Sequence, residues 1–444
     1  MKITWINLSD LIEYELRQRE EEGLDVGHFR QRWEKFEHRV ESSMEHEAER
    51  LWNELAALPA SSQLQKLEPS ELEMIWHARP TGARLSQRKI PEDDLADRIL
   101  GGWLGRAAGC LLGKPVEKTP RAGIKELLQS NGTWPLADYF TEEGIPQELL
   151  KKYPWNKHSG RESLKENIEC MAEDDDMNYP MLNLHVLETY GMNFTTDQIA
   201  ETWLSHLPAL STFTAERVAY FNLLRGMSPP ATAAFHNPYR EWIGGQIRAD
   251  VWGWVSPGQP ERAAEWAWRD ARLSHVRNGI YGEMFFAAAI STACIYKEPI
   301  LILNEGLRQI PHQSRLADAV SFAIDISKKE KAWETVVDRL YEKFGNYHWV
   351  HVINNAALVA AAVVHGDGDF ERSICNVVMG GWDTDSNGAT VGAILGTILG
   401  AKSIPRKWIA PLNNRIRSTM KGFDNSAIYE LAMRTAKQIR SAEL

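Results

Sequence analysis

Apolar positions recur at steps of three and four along most of this chain, and strand-like alternation is nearly absent. From Ser163 onward helical patterns dominate. They predict helices at Asp197–Leu207 (stopped by Pro208), Ala215–Gly226, Pro260–Ala271, Gly279–Tyr296 and Leu316–Ser327, then at Ala332–Phe344, Asn354–His365, Asp369–Met379 and Ala389–Leu399. Upstream, Ile90-Pro91-Glu92-Asp93-Asp94 reads as a turn feeding an acidic first helical turn, where carboxylates meet the positive end of the helix dipole. The stretch Leu100–Cys110 continues that helix and carries Gly101, Gly102, Gly105 and Gly109. Small residues at steps of four let a second backbone approach closely. Residues 118–158 are rich in Pro, Gly and aromatics and read as long loop with short elements. No repeat of fixed period is visible. The expected fold class is all-α: a single large multi-helix globule over 91–444 with an N-terminal helical extension over 1–90.

The extension has its own pattern. Leu11, Ile12 and Leu16, then Trp33, Phe36 and Val40, sit at helical spacings amid dense Glu, Arg and Lys. Gly23 and Asp25 separate two helices, and a third is expected from about Val40 to Leu58, ending at Pro59. Dense charge of this kind predicts a solvated hairpin lying on the main body. Met1–Glu22 has no apolar core segment and is not read as a signal peptide.

Composition narrows the classes. With 43% hydrophobic and 25% charged residues the chain is globular. A net charge of −10 gives no sign of a nucleic-acid partner. Ser386–Ala401 is a charge-free run of only 16 residues, Gly-rich, and no membrane span is expected. Four cysteines lie far apart with no zinc spacing, which fits reduced thiols in a cytoplasmic protein. Seventeen Trp residues are the outlier; such rings fill cores or stack on sugars and bases.

The candidate chemistry lies in two acidic clusters. Glu173-Asp174-Asp175-Asp176 stands among apolar helix faces, so its mutual repulsion needs an offset, and a divalent cation would supply one. Gly380-Gly381-Trp382-Asp383-Thr384-Asp385-Ser386-Asn387-Gly388 projects two carboxylates and a hydroxyl from a glycine-flanked loop. Oxygen-only donors favour Mg²⁺, Mn²⁺ or Ca²⁺ over Zn²⁺. An EF-hand lacks its Glu at position 12, and the glycine helix lacks the Gly-Lys-Ser/Thr of a phosphate loop.

Together with the glycine helix, these clusters resemble the ADP-ribosylglycohydrolase family over roughly residues 95–440. Gly101–Glu117 is similar to the family's opening Gly-rich helix ending in Pro-x-Glu. Glu173–Asp176 is similar to its Thr-Asp-Asp-Thr segment, and Asp383–Ser386 to its Asp-Thr-Asp-Thr segment. The resemblance implies an all-α enzyme holding two divalent cations, Mg²⁺ or Mn²⁺, in a central cleft. By position it implies Glu173, Asp174, Asp175, Asp383, Asp385 and Ser386 as metal ligands, and Glu117 and Asp175 as catalytic residues. Asp176 and Trp382 beside the metals, with Arg248, His275, Asn278, Gly279, Tyr281 and Gly282, are the substrate-binding candidates. Two readings stay open at Arg248: a cation beside sugar-stacking rings, or an ion pair inside an aromatic core. His275 is either a general acid/base or a structural histidine.

Departures from the family pattern accompany the matches. Glu173 and Asp176 replace both threonines of the first acidic segment, and Cys110 stands where the family has an Asp. The implied reaction is metal-dependent hydrolysis of a ribosyl N- or O-glycosidic bond, in an ADP-ribosyl or related substrate, on a small molecule or a protein. The alternatives are a hydrolase of nucleosides or other small glycosides, a phosphohydrolase, and a metal-stabilised binding protein without catalysis.

Overall fold

The computed structural model describes residues 3–35, 42–82 and 90–442. Among them are 23 α-helices and a single two-stranded antiparallel ladder, Arg415–Ile416 with Ser426–Ala427. No helix among the described residues is long and apolar enough to cross a membrane. The helices expected downstream of Ser163 are present, at bounds within a few residues of the pattern.

Two helices form the spine. Glu92–Gly113 runs antiparallel to Thr384–Leu399 with backbones in direct contact. A methyl group added at Gly101, Gly105 or Gly109 would lie 2.2, 2.1 or 1.9 Å from the carbonyl oxygen of Gly396, Gly392 or Gly388. Real side-chain carbons never come so close, so only glycine fits this seam. The partner of the glycine stripe is thus the helix that follows the second acidic cluster. One end of the seam brings Lys114–Glu117 beside Asp383–Ser386, and Thr384 donates its hydroxyl to the Gly113 carbonyl at 2.7 Å.

Helix Asp175–Tyr190 carries Pro180 in its interior, which obscures it in the sequence pattern. A proline has no N–H for the carbonyl four residues back, here that of Asp176. Arg106, from the glycine helix, donates its Nε to that carbonyl at 2.8 Å. Pro299–Leu307 also went unread; it holds only two full turns. In the stretch expected as loop, Arg121–Ser130 is an amphipathic helix that buries Ile124, Leu127 and Leu128. Trp103, Trp203, Trp242, Trp252, Trp254 and Trp408 are fully buried, so much of the tryptophan excess is core.

The N-terminal segment departs from a solvated hairpin. Helices Leu8–Glu21, Gly27–Glu34 and Ser42–Ala56 share a small core of their own, including Leu16, Phe29, Trp33, Leu51 and Trp52. Phe36, and Val40 as the start of the third helix, lie outside the described residues. The other face of Leu8–Glu21 buries its charges against the main body. Glu15 and Glu22 each meet Arg240 at 2.6 Å, and Gln18 donates to Glu241 at 3.0 Å. Charge density here marks a paired interface, because each carboxylate finds a guanidinium on the other side.

Candidate active site

Asp174 ends an extended segment and caps helix Asp175–Tyr190, its carboxylate accepting the Asp176 N–H at 2.9 Å. Asp383 precedes helix Thr384–Leu399 after a turn in which Gly381 and Trp382 have φ of 81° and 57°. The two clusters meet: the Ser386 hydroxyl donates to Asp176 Oδ2 at 3.0 Å. The third strand of the site is the turn Lys114–Val116 and the Glu117 after it. The Lys114 ammonium contacts Asp174 at 2.7 Å, Asp385 at 2.8 Å and Glu117 at 3.0 Å. Asn156 donates to the same Glu117 oxygen, Oε2, at 2.6 Å, which leaves Oε1 facing Lys118 at 3.7 Å.

Electrostatics follow from this crowding. Burial, then the neighbouring Asp174 and Asp176, push Asp175 well above the usual carboxylate range. Burial and Asp385 raise Asp383, and burial likewise raises Glu117. Asp385 is the exception: burial would lift it, but Lys114 and the hydrogen bond from Asp383 hold it at about 2. Cys110 lies against Asp174 and Asp176, and burial with those charges keeps its thiol protonated. Asp176 is clamped by the fully buried Arg106, which also reaches Asp250 at 2.8 Å. Carboxylates that repel in this way are what a hard divalent cation relieves, and oxygen donors suit one. Among the described residues, two groupings of side chains are compact enough to hold an ion: Glu117 with Asp383 and Asp385, and Cys110 with Asp174 and Asp176.

These residues floor a cleft of about 330 Å³. Its walls include Phe213, Trp349 and, from the N-terminal segment, Thr4 and Trp5. Arg217 also lines it. Three backbone carbonyls take its N–H groups, at Thr212, Thr4 and Leu210, and among the described residues no carboxylate pairs with it. A larger depression of about 800 Å³ is lined by Arg79, Glu261, Glu265, Glu305, Arg308 and Gln309. Its charges are already paired, as in Arg79 with Glu261 at 3.2 Å, so the acidic cleft is where chemistry is concentrated.

The structure brings together Glu117, Asp174, Asp175, Asp176, Asp383, Asp385 and Ser386. Glu173 stands apart, bound to His158 at 3.1 Å and accepting from Asn178 and Thr419 at 2.8 and 3.1 Å. Arg248 is fully buried among Glu216, Asp270 and Glu283, under the rings of Tyr179 and Trp203, and does not line the cleft. His275, also fully buried, shares a hydrogen with the Ser274 hydroxyl at 2.9 Å; burial and Arg248 hold it neutral. Asn278 and Tyr281 bind the segment near residue 68 instead: Asn278 donates to Glu68 at 2.7 Å, and the Tyr281 hydroxyl to the Pro69 carbonyl. Gly279 and Gly282 face protein, since added methyls would meet the Arg240 carbonyl oxygen at 2.6 Å and Val352 at 2.5 Å. Trp382 stacks on Tyr341 at 4.3 Å, outside the cleft lining. Arg106 and Trp5 carry no signal in the sequence pattern; Lys114, a cation the sequence offers for a substrate pyrophosphate, is instead paired with the acids of the site.

Residues 91–443 match the family model for ADP-ribosylglycohydrolase, and the chain belongs to that family. It is 27% identical over 343 residues to an uncharacterised protein of Archaeoglobus fulgidus, spanning 75% of this chain and 96% of that one. A solved structure described as an ADP-ribosylglycohydrolase-related protein complex aligns with 78% of this chain and 99% of its own, at 19% identity and a TM-score of 0.47.

Proposed function

We propose that the protein is a cytoplasmic glycosidase that hydrolyses the anomeric bond of a ribosyl-type substrate carrying a phosphate, with Mg²⁺ or Mn²⁺ bound by the acidic floor. The observation that carries this reading is a cleft that combines Glu117, Asp175, Asp383 and Asp385 with Arg217, a cation whose N–H groups go to backbone carbonyls and which makes no ion pair among the described residues. A ribosyl phosphate suits both: hydroxyls for a metal-bearing acidic floor, and an anion for the guanidinium's charge. A cleft of about 330 Å³ sits at the small end of ligand sites and favours a small molecule over a folded protein. Free thiols at all four cysteines agree with a reducing compartment.

The chain's own groups divide the work. A bound divalent cation would orient sugar hydroxyls and polarise water. Glu117 Oε1, free of the hydrogen bonds that hold Oε2, takes the proton as the water oxygen bonds to the anomeric carbon. The glycosidic bond breaks, and its electron pair leaves with the aglycone, which takes up a proton from solvent as Glu117 returns its own to solvent. The carboxylates stabilise the positive charge that develops on the ribose.

The test is a panel of ADP-ribosylated arginine, ADP-ribosylated serine and simple nucleosides, incubated with and without Mg²⁺ or Mn²⁺ and read by mass spectrometry. Metal-stimulated release of a free sugar is expected, with phosphorylated substrates ahead of nucleosides. Release of inorganic phosphate with the glycosidic bond intact would refute the reading, and binding without turnover would mark a non-catalytic protein.

A further inference from the structure

Asn355 is fully buried in the first turn of helix Val352–Gly366. Its Nδ2 donates to the Trp349 and His351 carbonyls, both at 2.8 Å. Its Oδ1 accepts the Asp383 N–H at 3.2 Å and the Asn387 Nδ2 at 2.7 Å. A side-chain amide has two hydrogens to donate and two lone pairs to accept with, so every capacity is met. One side chain thereby ties two separate parts of the cleft together, because Trp349 and Asp383 both line it. The neighbouring Asn354 is just as buried, yet its one hydrogen bond goes to the His348 carbonyl at 3.2 Å and not to the acidic floor.

The Asp383 end of this link is the unusual one. Asp383 stands at the N-cap of helix Thr384–Leu399, where an aspartate ordinarily spends its carboxylate on the helix N–H groups. Here the carboxylate caps nothing, whereas Asp174, at the same position on its own helix, does cap. The turn leading in holds Trp382 at φ 57°, a left-handed conformation that a bulky residue keeps only when its surroundings impose it. Asn355 grips the backbone directly after that residue. The carboxylate so released lies within ion-holding reach of Glu117 and Asp385.

We propose that Asn355 is a positioning residue of the cation site: by fixing the Asp383 N–H, it aims the Asp383 carboxylate at the cation on the acidic floor and keeps that carboxylate from capping its own helix. The inference deepens the metal-binding half of the function proposed above. It does not depend on the bond cleaved, because metal affinity is read without substrate.

Calorimetric titration of the full chain with Mn²⁺ is the test, with Asn355→Ser set against Asn354→Ser and a denaturation midpoint taken for each metal-free protein. A serine at 355 can still donate to the His351 carbonyl four residues back, but its hydroxyl is too short to reach Asp383. Mn²⁺ affinity should fall about 10-fold or more in Asn355→Ser, the scale of losing an outer support of a metal ligand, and stay within about twofold of wild type in Asn354→Ser, whatever the two midpoints. Equal affinities in the two variants overturn the proposal. A wild type that binds no Mn²⁺ refutes the metal-binding reading itself; a wild type that binds it no more tightly than Asn355→Ser refutes this inference alone. Should Asn355→Ser fail to fold, anomalous scattering from wild-type crystals soaked in Mn²⁺ decides the matter. An ion on the Asp383 carboxylate, with the bond from Asp383 N–H to Asn355 intact, supports the proposal; an ion that leaves Asp383 unbound overturns it.

Discussion

Gly109 and Gly388 meet backbone to backbone: a methyl group on Gly109 would lie 1.9 Å from the Gly388 carbonyl oxygen. This contact is one rung of a ladder that ends at the acidic floor. Gly109→Ala must push the two helices apart, a strain of about 1–3 kcal/mol on the usual scale of overpacking. It should also shift Lys114 and Glu117 against Asp383 and Asp385. Chemical denaturation should show the loss of stability, and titration with Mn²⁺ a weaker affinity. A variant with wild-type affinity would show that the seam does not set the register of the site.

The seam shows what the sequence could and could not convey. The glycine period announced that some backbone comes close to this helix, because only glycine tolerates that approach. It did not name the partner, which depends on tertiary pairing between residues nearly 280 apart. The acidic motifs were legible for the same local reason: adjacent carboxylates among apolar residues demand a cation. Their ionic partners were not. Arg106 carries no motif, and its role arises because Pro180 frees the Asp176 carbonyl. Residues 278–282 looked like a ligand-approach segment, yet their glycines admit Arg240 and Val352, since protein backbone and ligand make the same demand on a glycine.

Arg106 is fully buried and donates to Asp176, Asp250 and the carbonyls of Asp176 and Ile247. Replacing it with Met should destabilise the protein by about 3–5 kcal/mol, the scale of breaking a buried ion pair and leaving its partner behind. Arg106→Lys should recover only part of this, because an ammonium cannot reach four acceptors in a planar array. Denaturant midpoints for both variants, with an unchanged m-value, check the order.

Every family motif follows Leu95, yet the N-terminal segment packs its charges against the main body. Removing residues 1–90 would strip Glu15 and Glu22 from Arg240 and leave the buried guanidinium without them. Such a truncation should aggregate or fold poorly. Trp5→Ala is the milder probe: Trp5 packs on Tyr14 and Tyr239, both at 5.6 Å, and walls the cleft. It should raise KM several-fold while Mn²⁺ affinity stays put. A soluble truncation with full metal affinity and unchanged KM would return the segment to a passive role.

Docking of this segment should depend on pH. Burial would raise the Glu22 carboxyl, but Arg240 and Arg277 outweigh it and hold it at about 2, against an ordinary 4.5. A folded value below the unfolded one means stability that is complete above pH 4.5 and lost as pH falls from there through 2. Glu22→Gln lacks this term. The gap between wild-type and Glu22→Gln denaturation midpoints should therefore be widest near neutrality and close as pH drops from 4.5 toward 2. A gap that is constant across that range would rule out Glu22 as the linked group.

Glu117 carries the most direct chemical expectation. Lys114 and Asn156 both donate to Oε2, so the carboxylate is oriented while Oε1, with Lys118 at 3.7 Å, accepts no hydrogen bond. Its side chain is 14% exposed, enough to reach a substrate water and little enough that enclosure raises its affinity for a proton. Glu117→Gln keeps the shape and can still accept from Asn156, yet it cannot take a proton. It should lower kcat by about 10² or more, the scale of a lost general base. Its fold, read by the denaturation midpoint, should remain near wild type. Glu117→Asp shortens the arm and should fall between the two. If Glu117→Gln turns over at the wild-type rate, the proton is taken elsewhere, and Asp175, one of several cleft-lining acids with a raised proton affinity, is the next base to test.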